Sequence, residues 1–121
     1  MNRGPAQAEW TTVDDTDSAV VYVNRDTVRE TKDSSYRKVW IVQDLKTPAN
    51  GVKSLKLLQE IDCPNERARV LVTGLYPMRT GVGAPIARHR GRLDWEPLPR
   101  TSSADAVFRF VCSLPSVQKE E

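Results

Sequence analysis

Alternation of apolar and polar positions dominates the chain and predicts strands along most of it. Trp10–Val13 is a short β-prone stretch, closed by the polar turn Asp14-Asp15-Thr16-Asp17-Ser18. Ala19–Val23 is rich in β-branched residues and reads as a strand, whereas Asn24–Ser35 is polar and reads as a turn plus a loop. Tyr36–Leu45 sets Lys38, Trp40, Val42 and Asp44 on one side and Val39, Ile41 and Gln43 on the other. Both sides carry apolar residues, which puts this strand in the middle of a sheet. Lys46-Thr-Pro-Ala-Asn-Gly51 carries turn chemistry in Pro48 and Asn50-Gly51. Ser54–Cys63 places Leu55, Leu57, Gln59, Ile61 and Cys63 on one face and Lys56, Leu58, Glu60 and Asp62 on the other. A helix competes there, because Leu55, Leu58 and Asp62 also fit a helical period; Pro64-Asn65 ends the element in either case. Arg67–Tyr76 alternates with Ala68, Val70, Val72, Gly74 and Tyr76 inward and Arg67, Arg69, Leu71, Thr73 and Leu75 outward. Val82–His89 is weaker, interrupted by Gly83 and Pro85, and Leu93–Glu96 is a candidate edge strand. Strands of this kind joined by short turns imply an antiparallel meander.

The period then changes. After Pro97-Leu-Pro-Arg-Thr-Ser-Ser103, the residues Ala104, Val107, Phe108, Val111 and Cys112 fall on one face of a helix. Ser102 with Asp105 three positions on is a capping-box signature, and Pro115 with the Gln-Lys-Glu-Glu tail stops the element. The expected organisation is a lead-in over 1–9, one domain over 10–114 and a polar tail over 115–121.

A length of 121 residues suits one domain with a modest core, and 39% hydrophobic with 28% charged residues excludes a disordered chain. No apolar run approaches the length that crosses a bilayer, so no transmembrane segment is expected. The two cysteines, Cys63 and Cys112, fit no metal spacing. They read as buried free thiols, as one nucleophile with a bystander, or as a disulfide. A nucleophile needs a base, and nothing in the sequence places the single histidine, His89, beside either thiol. Size favours the disulfide, since closing about 50 residues is worth about 4 kcal/mol to a small domain. On that reading a helix lies across the sheet and is bolted to the end of a strand. A disulfide requires an oxidising compartment, so the domain is expected to be exported. The N-terminal residues contain no apolar signal core and read as a mature or trimmed end.

Charge is near balance at +2 but unevenly spread. Glu9 to Asp33 holds seven acids and three bases, while Arg79 to Arg100 holds five bases (Arg79, Arg88, Arg90, Arg92, Arg100) and two acids. Either these are two solvated faces, or the second is a basic strip that meets an acidic partner. Arg88-His89-Arg90-Gly91-Arg92 is the densest part: a solvated hairpin turn with Gly91 at its tip, or an anion-facing patch for acidic glycans, acidic phospholipids or an acidic protein surface. Arg79, Arg88, His89, Arg90 and Arg92 are therefore the candidate binding residues. Nucleic acid is not expected at so small a net charge and without a surrounding motif. Asp14-Asp15 and Glu120-Glu121 are solvated carboxylate pairs in turn or tail context, Ser102-Ser103 is a cap rather than a nucleophile, and Gly81-Val-Gly83 is a strand kink or bulge rather than a phosphate loop. Trp10, Trp40 and Trp95 read as sheet-packing residues, or as a binding patch if two are exposed together. No catalytic set, cofactor or metal site is expected, and the chain reads as a non-enzyme.

In order and spacing the pieces resemble the surface-adhesin protein E family of Gram-negative bacteria. The resemblance runs from Trp10 to Ser113 through Val20-Val-Tyr-Val-Asn24, Val39-Trp-Ile-Val-Gln-Asp44, Ser54, Glu60-Ile-Asp-Cys63, Arg67-Ala-Arg69, Gly81, Trp95 and Pro99-Arg-Thr-Ser-Ser, to the helix ending in Val111-Cys112. It implies an α+β fold: a twisted antiparallel sheet of about six strands with a C-terminal helix on its concave face, tied by a Cys63–Cys112 disulfide. It also implies an extracytoplasmic binding domain, in the periplasm or associated with the outer membrane at the cell surface. Its partners would be host extracellular-matrix or serum proteins, or acidic glycans, and it would be a monomer or weak dimer. The residues show no lipid-anchor cysteine; a lipid anchor, if the protein carries one, would be expected in a full-length precursor. The alternative is a periplasmic structural or helper domain that holds a small apolar ligand, a haem-like group or a peptide between sheet and helix.

Overall fold

β-Branched and aromatic runs become strands wherever both neighbours in the sheet can satisfy their backbone. The computed structural model describes residues 10–32 and 35–120; the expected lead-in over 1–9 lies outside the described residues. Strands β1 (Trp10–Asp15), β2 (Ala19–Asn24), β4 (Arg37–Ala49), β5 (Val52–Asp62), β6 (Arg67–Tyr76) and β7 (Ala87–Arg90) form an antiparallel meander in the order β1-β2-β4-β5-β6-β7. Three two-residue strands complete the sheet. β3 (Arg29–Glu30) pairs with β4, β8 (Glu96–Pro97) pairs with β6, and β9 (Gln118–Lys119) runs parallel to β3. Among the described residues the one α-helix, α1 (Ser103–Ser113), lies against one face. The α+β architecture with about six main strands is thus the one the sequence implied.

Two elements depart from the periodicity reading. The turn expected over 46–51 contracts to Asn50 and Gly51, which take φ of 54° and 77° between the paired Ala49 and Val52. Positive φ at both central residues is the hairpin geometry that Asn-Gly favours. Strand β4 therefore continues through Pro48, which falls in a break of register between Asp44 and Ala49, where no ladder N–H is needed. The second departure is in β6. Its register against β5 slips between Leu58 and Gln59, which pair with Val72 and Val70 and leave Leu71 as an extra residue. This bulge inverts the alternation. Ala68 and Val70 share the helix-side face, while Val72, Gly74 and Tyr76 share the far face with Arg67 and Arg69. The helix that competed over 54–63 does not form, because that segment pairs on both sides.

The core lies between sheet and helix. Val107 and Val111 of α1 pack on Val21, Val23, Val39, Ile41, Ile61 and Ala68, all buried. Each fully buried valine contributes about 1.5–3 kcal/mol. The Ser102 hydroxyl accepts the Asp105 N–H at 3.1 Å and caps the helix start. At the other end Arg37 donates to the carbonyls of Val111 (2.7 Å) and Leu114 (3.0 Å), placing a cation on the helix C-terminus. Cys63 and Cys112 form a disulfide with Cα atoms 5.8 Å apart. Beyond Pro115 the chain returns to pair with β3. There the Glu120 carboxylate accepts the Lys32 N–H and the Lys38 ammonium, which hold its carboxyl below the ordinary range.

Candidate functional site

Sheet and helix meet without a roomy interior. Along their junction runs a crevice of about 140 Å³, lined by Gln59, Ala68, Val70, Leu98 and Ala104 among others. The Gln59 Oε1 atom has no hydrogen-bond partner there. Among the described residues no cluster of three or more His, Cys, Asp or Glu could hold a metal, and no helix is long and apolar enough to cross a membrane. The acidic pair Asp14-Asp15 is engaged structurally: Asp14 accepts from the Ser103 hydroxyl at 2.7 Å, and Asp15 pairs with Lys46.

The face away from the helix is organised by buried polar side chains. Asp44 and Ser54, both buried, sit directly opposite each other on β4 and β5. Together they hold the loop between β6 and β7. Asp44 accepts the Thr80 N–H at 2.7 Å; Ser54 donates to the Met78 carbonyl at 2.6 Å and accepts the Gly81 N–H at 2.9 Å. Thr80 and Gly81 take φ of 61° and 66° here, so Gly81-Val-Gly83 belongs to a latched turn and not to a strand kink. Arg79 reaches across to the Leu45 carbonyl at 2.6 Å. Beside it the Tyr22 hydroxyl is pushed up by burial and by the Asp44 and Asp15 charges, with Arg79 opposing.

At the other end of the same face, buried Glu60 and Asp62 pair with Arg69 (2.6 Å) and Arg67 (2.9 Å). Burial alone would raise the Asp62 carboxyl, but hydrogen bonds from Asn65 and Arg67 together with the Arg67 charge hold it below its ordinary value. The Arg67 and Arg69 guanidiniums lie over Trp95, at 4.6 and 4.2 Å, and Tyr36 meets the same ring edge-on at 4.9 Å. Lys56 covers Trp40 at 5.3 Å. Trp10 lies across a cleft of about 400 Å³ from Thr80–Gly83. The tryptophans therefore anchor side chains on the sheet and are all half-buried.

The expected basic strip divides. Arg79 belongs to the latched loop and reaches Leu45 on β4, three strands along the sheet from β7. Arg88, His89 and Arg90 form β7 itself, and all three are exposed. Register sets Arg88 and Arg90 opposite Gly74 and Val72, on the face away from the helix, and His89 opposite Thr73 on the helix side. Among the described residues neither Arg88 nor Arg90 has an ion-pair or hydrogen-bond partner, while Arg92 reaches Asp94 at 3.9 Å in full solvent. Gly91 is not a hairpin tip. Its N–H donates to Leu71 O at 2.8 Å, and a Cβ at Gly91 would stand 1.7 Å from Val70 O. The β6 bulge and Gly91 thus fit together and end β7. The Asp44–Ser54 latch and the Glu60–Arg69 and Asp62–Arg67 pairs escaped the periodicity reading. Their only sequence signal is polar residues at alternating positions of otherwise apolar strands.

A family model described as surface-adhesin protein E matches residues 10–113. The chain belongs to the surface-adhesin protein E family. No curated protein and no solved structure matches it. Membership places this surface-adhesin E domain among exported, cell-surface binding proteins. The match starts at the first described strand and ends with α1, so it takes in the disulfide, the latch and the β7 edge alike.

Proposed function

We propose that this domain is the binding module of a surface adhesin and that it contacts acidic macromolecules through the edge formed by Arg88, His89, Arg90 and Arg92. Host extracellular-matrix or serum proteins and acidic glycans are the partner class. The observation that carries this reading is the pair of exposed, unpartnered guanidiniums of Arg88 and Arg90 on the outermost strand of the sheet. The other basic residues on that face are occupied: Arg67 and Arg69 by buried carboxylates, Lys56 by Trp40, and Arg79 by a carbonyl. Two cations left free on one strand are available to a partner, and their attraction acts over about 10 Å at ordinary salt. The setting is the cell surface, on the outer membrane side of the envelope. Arg79 stands apart from the edge and contributes through the loop it holds.

Immobilised laminin, vitronectin and heparin, titrated at low and high salt, test this. Binding to at least one at low salt that weakens as salt rises, and that is lost in Arg88→Glu with Arg90→Glu, is the expected result. No binding to any of the three at low salt removes the reading.

A further inference from the structure

At the edge of β7, backbone and side chains are open together over residues 88–90. The phase of β7 against β6 is set at Gly91, whose N–H donates to Leu71 O at 2.8 Å; the Ile86 N–H, which donates to Leu75 O at 2.7 Å, lies out of that alternation, ahead of the ladder that begins at the Ala87–Leu75 pair. In an antiparallel ladder successive residues bond alternately to one side and the other. With Gly91 bonded inward to β6, His89 is also inward, and the N–H and C=O groups of Arg88 and Arg90 point outward. Among the described residues β7 pairs with β6 alone, and its residues 88–90 are exposed. The opposite edge of the sheet, β1, is broken by a bulge between Thr12 and Asp14 and ties its acids to Ser103 and Lys46. Bulges of this kind turn an edge away from further pairing.

Charge decides what the open edge accepts. The stretch Pro77–Leu93 contains four arginines and no acid, against 14 bases and 16 acids in the rest of the chain (18 − 4 = 14). A second β7 laid alongside would set arginine against arginine, and like charges on adjacent strands repel. An acidic strand meets the opposite condition. Arg88 and Arg90 project from the same face about 6.8 Å apart, the spacing of residues i and i+2 of an extended chain.

We propose that β7 binds an extended acidic peptide segment of a partner protein by strand addition, pairing its outward backbone groups and seating carboxylates at alternate positions against Arg88 and Arg90. This rests on the reading of the β7 edge as the binding surface and names the mode and the partner chemistry. The backbone bonds supply affinity, and the alternation of acids supplies selectivity.

Synthetic peptides test it: an alternating Thr-Glu repeat, a block peptide of the same composition, and alternating peptides N-methylated on the amides of one edge or the other. Fluorescence anisotropy against the whole domain should show the alternating peptide binding about tenfold tighter than the block. N-methylation should abolish binding on one edge only. Arg88→Pro removes an outward N–H that the ladder does not use, so it should keep the urea midpoint of Arg88→Ala while binding about tenfold more weakly than that variant. Equal binding of alternating and block peptides with no effect of N-methylation overturns strand addition and leaves a diffuse basic patch, with the proposed function intact. Binding to heparin but to no peptide likewise replaces the peptide with a glycan. Concentration-dependent self-association lost in Arg88→Pro assigns the edge to a second copy and overturns the inference. Failure of every acidic probe at low salt removes both readings.

Discussion

Breaking the Cys63–Cys112 bond by Cys63→Ala with Cys112→Ala removes a cross-link between positions 49 apart in sequence. In the chain-entropy model a loop of about 50 residues gives about 4 kcal/mol, because the open unfolded chain gains the freedom that the bond denied it. A 121-residue domain has a total stability of about 6–18 kcal/mol, so the variant keeps between a third and three quarters of it. The helix would still be held by buried Val107 and Val111, by the Ser102 cap and by Arg37 at its C-terminus. The variant is therefore expected to fold but to unfold early. With a urea slope of about 2 kcal/mol per molar, the midpoint falls by about 2 M. Urea titrations read by tryptophan fluorescence and by far-UV circular dichroism measure this. The three tryptophans report the sheet, and ellipticity weights the helix. Coincident transitions with the stated shift are expected. A midpoint shift under about 0.5 M refutes the argument that the cross-link acts by restraining the unfolded chain, and early loss of helix signal alone shows it acting only as a local pin.

Gly91→Ala forces a Cβ into the Val70 carbonyl, so β7 must separate from β6. Hydrogen exchange should accelerate at His89 and Gly91 while β4 and β5 stay protected, and unchanged exchange would deny the close approach. Asp62 has a native pKa below its unfolded one, so its stabilisation is present above the unfolded carboxylate range and is lost as pH falls through the native pKa. Asp62→Asn should therefore show less loss of stability than the parent between about pH 5 and about pH 2, and parallel curves would contradict this. Ser102→Ala removes the helix cap and should cost about 1 kcal/mol in urea unfolding, with no effect on binding at β7.

Much of the fold was legible because periodicity, turn chemistry and burial agreed. Ser102 and Asp105 marked the helix start, Asn50-Gly51 marked the hairpin, and Val39–Val42 with apolar residues on both sides marked a central strand. The β6 bulge was not legible. A single extra residue at Leu71 leaves the local alternation unbroken and only changes which face each half addresses. The same limit applied to the site. Arg88, His89 and Arg90 stood out as a basic run, but their division between two faces and the outward backbone of Arg88 and Arg90 follow from register with β6. Arg79 was grouped with them by proximity in sequence, whereas the Asp44–Ser54 latch carries it across the sheet to Leu45. Glu60 and Asp62 read only as sharing a face with Lys56 and Leu58, and the structure buries them beneath Arg69, Arg67 and Trp95. A segment more than 20 positions away in sequence closes over them, and no local pattern reports that.

Amide hydrogen exchange of the domain, with and without a saturating acidic partner, addresses the binding edge most directly. The Arg88 and Arg90 amides, outward in the phase set at Gly91, should become protected, while β1 and the outer surface of α1 stay unchanged. Protection that appears on β1 or along α1 and leaves Arg88 and Arg90 exchanging freely would contradict the assignment of the outermost strand as the contact surface.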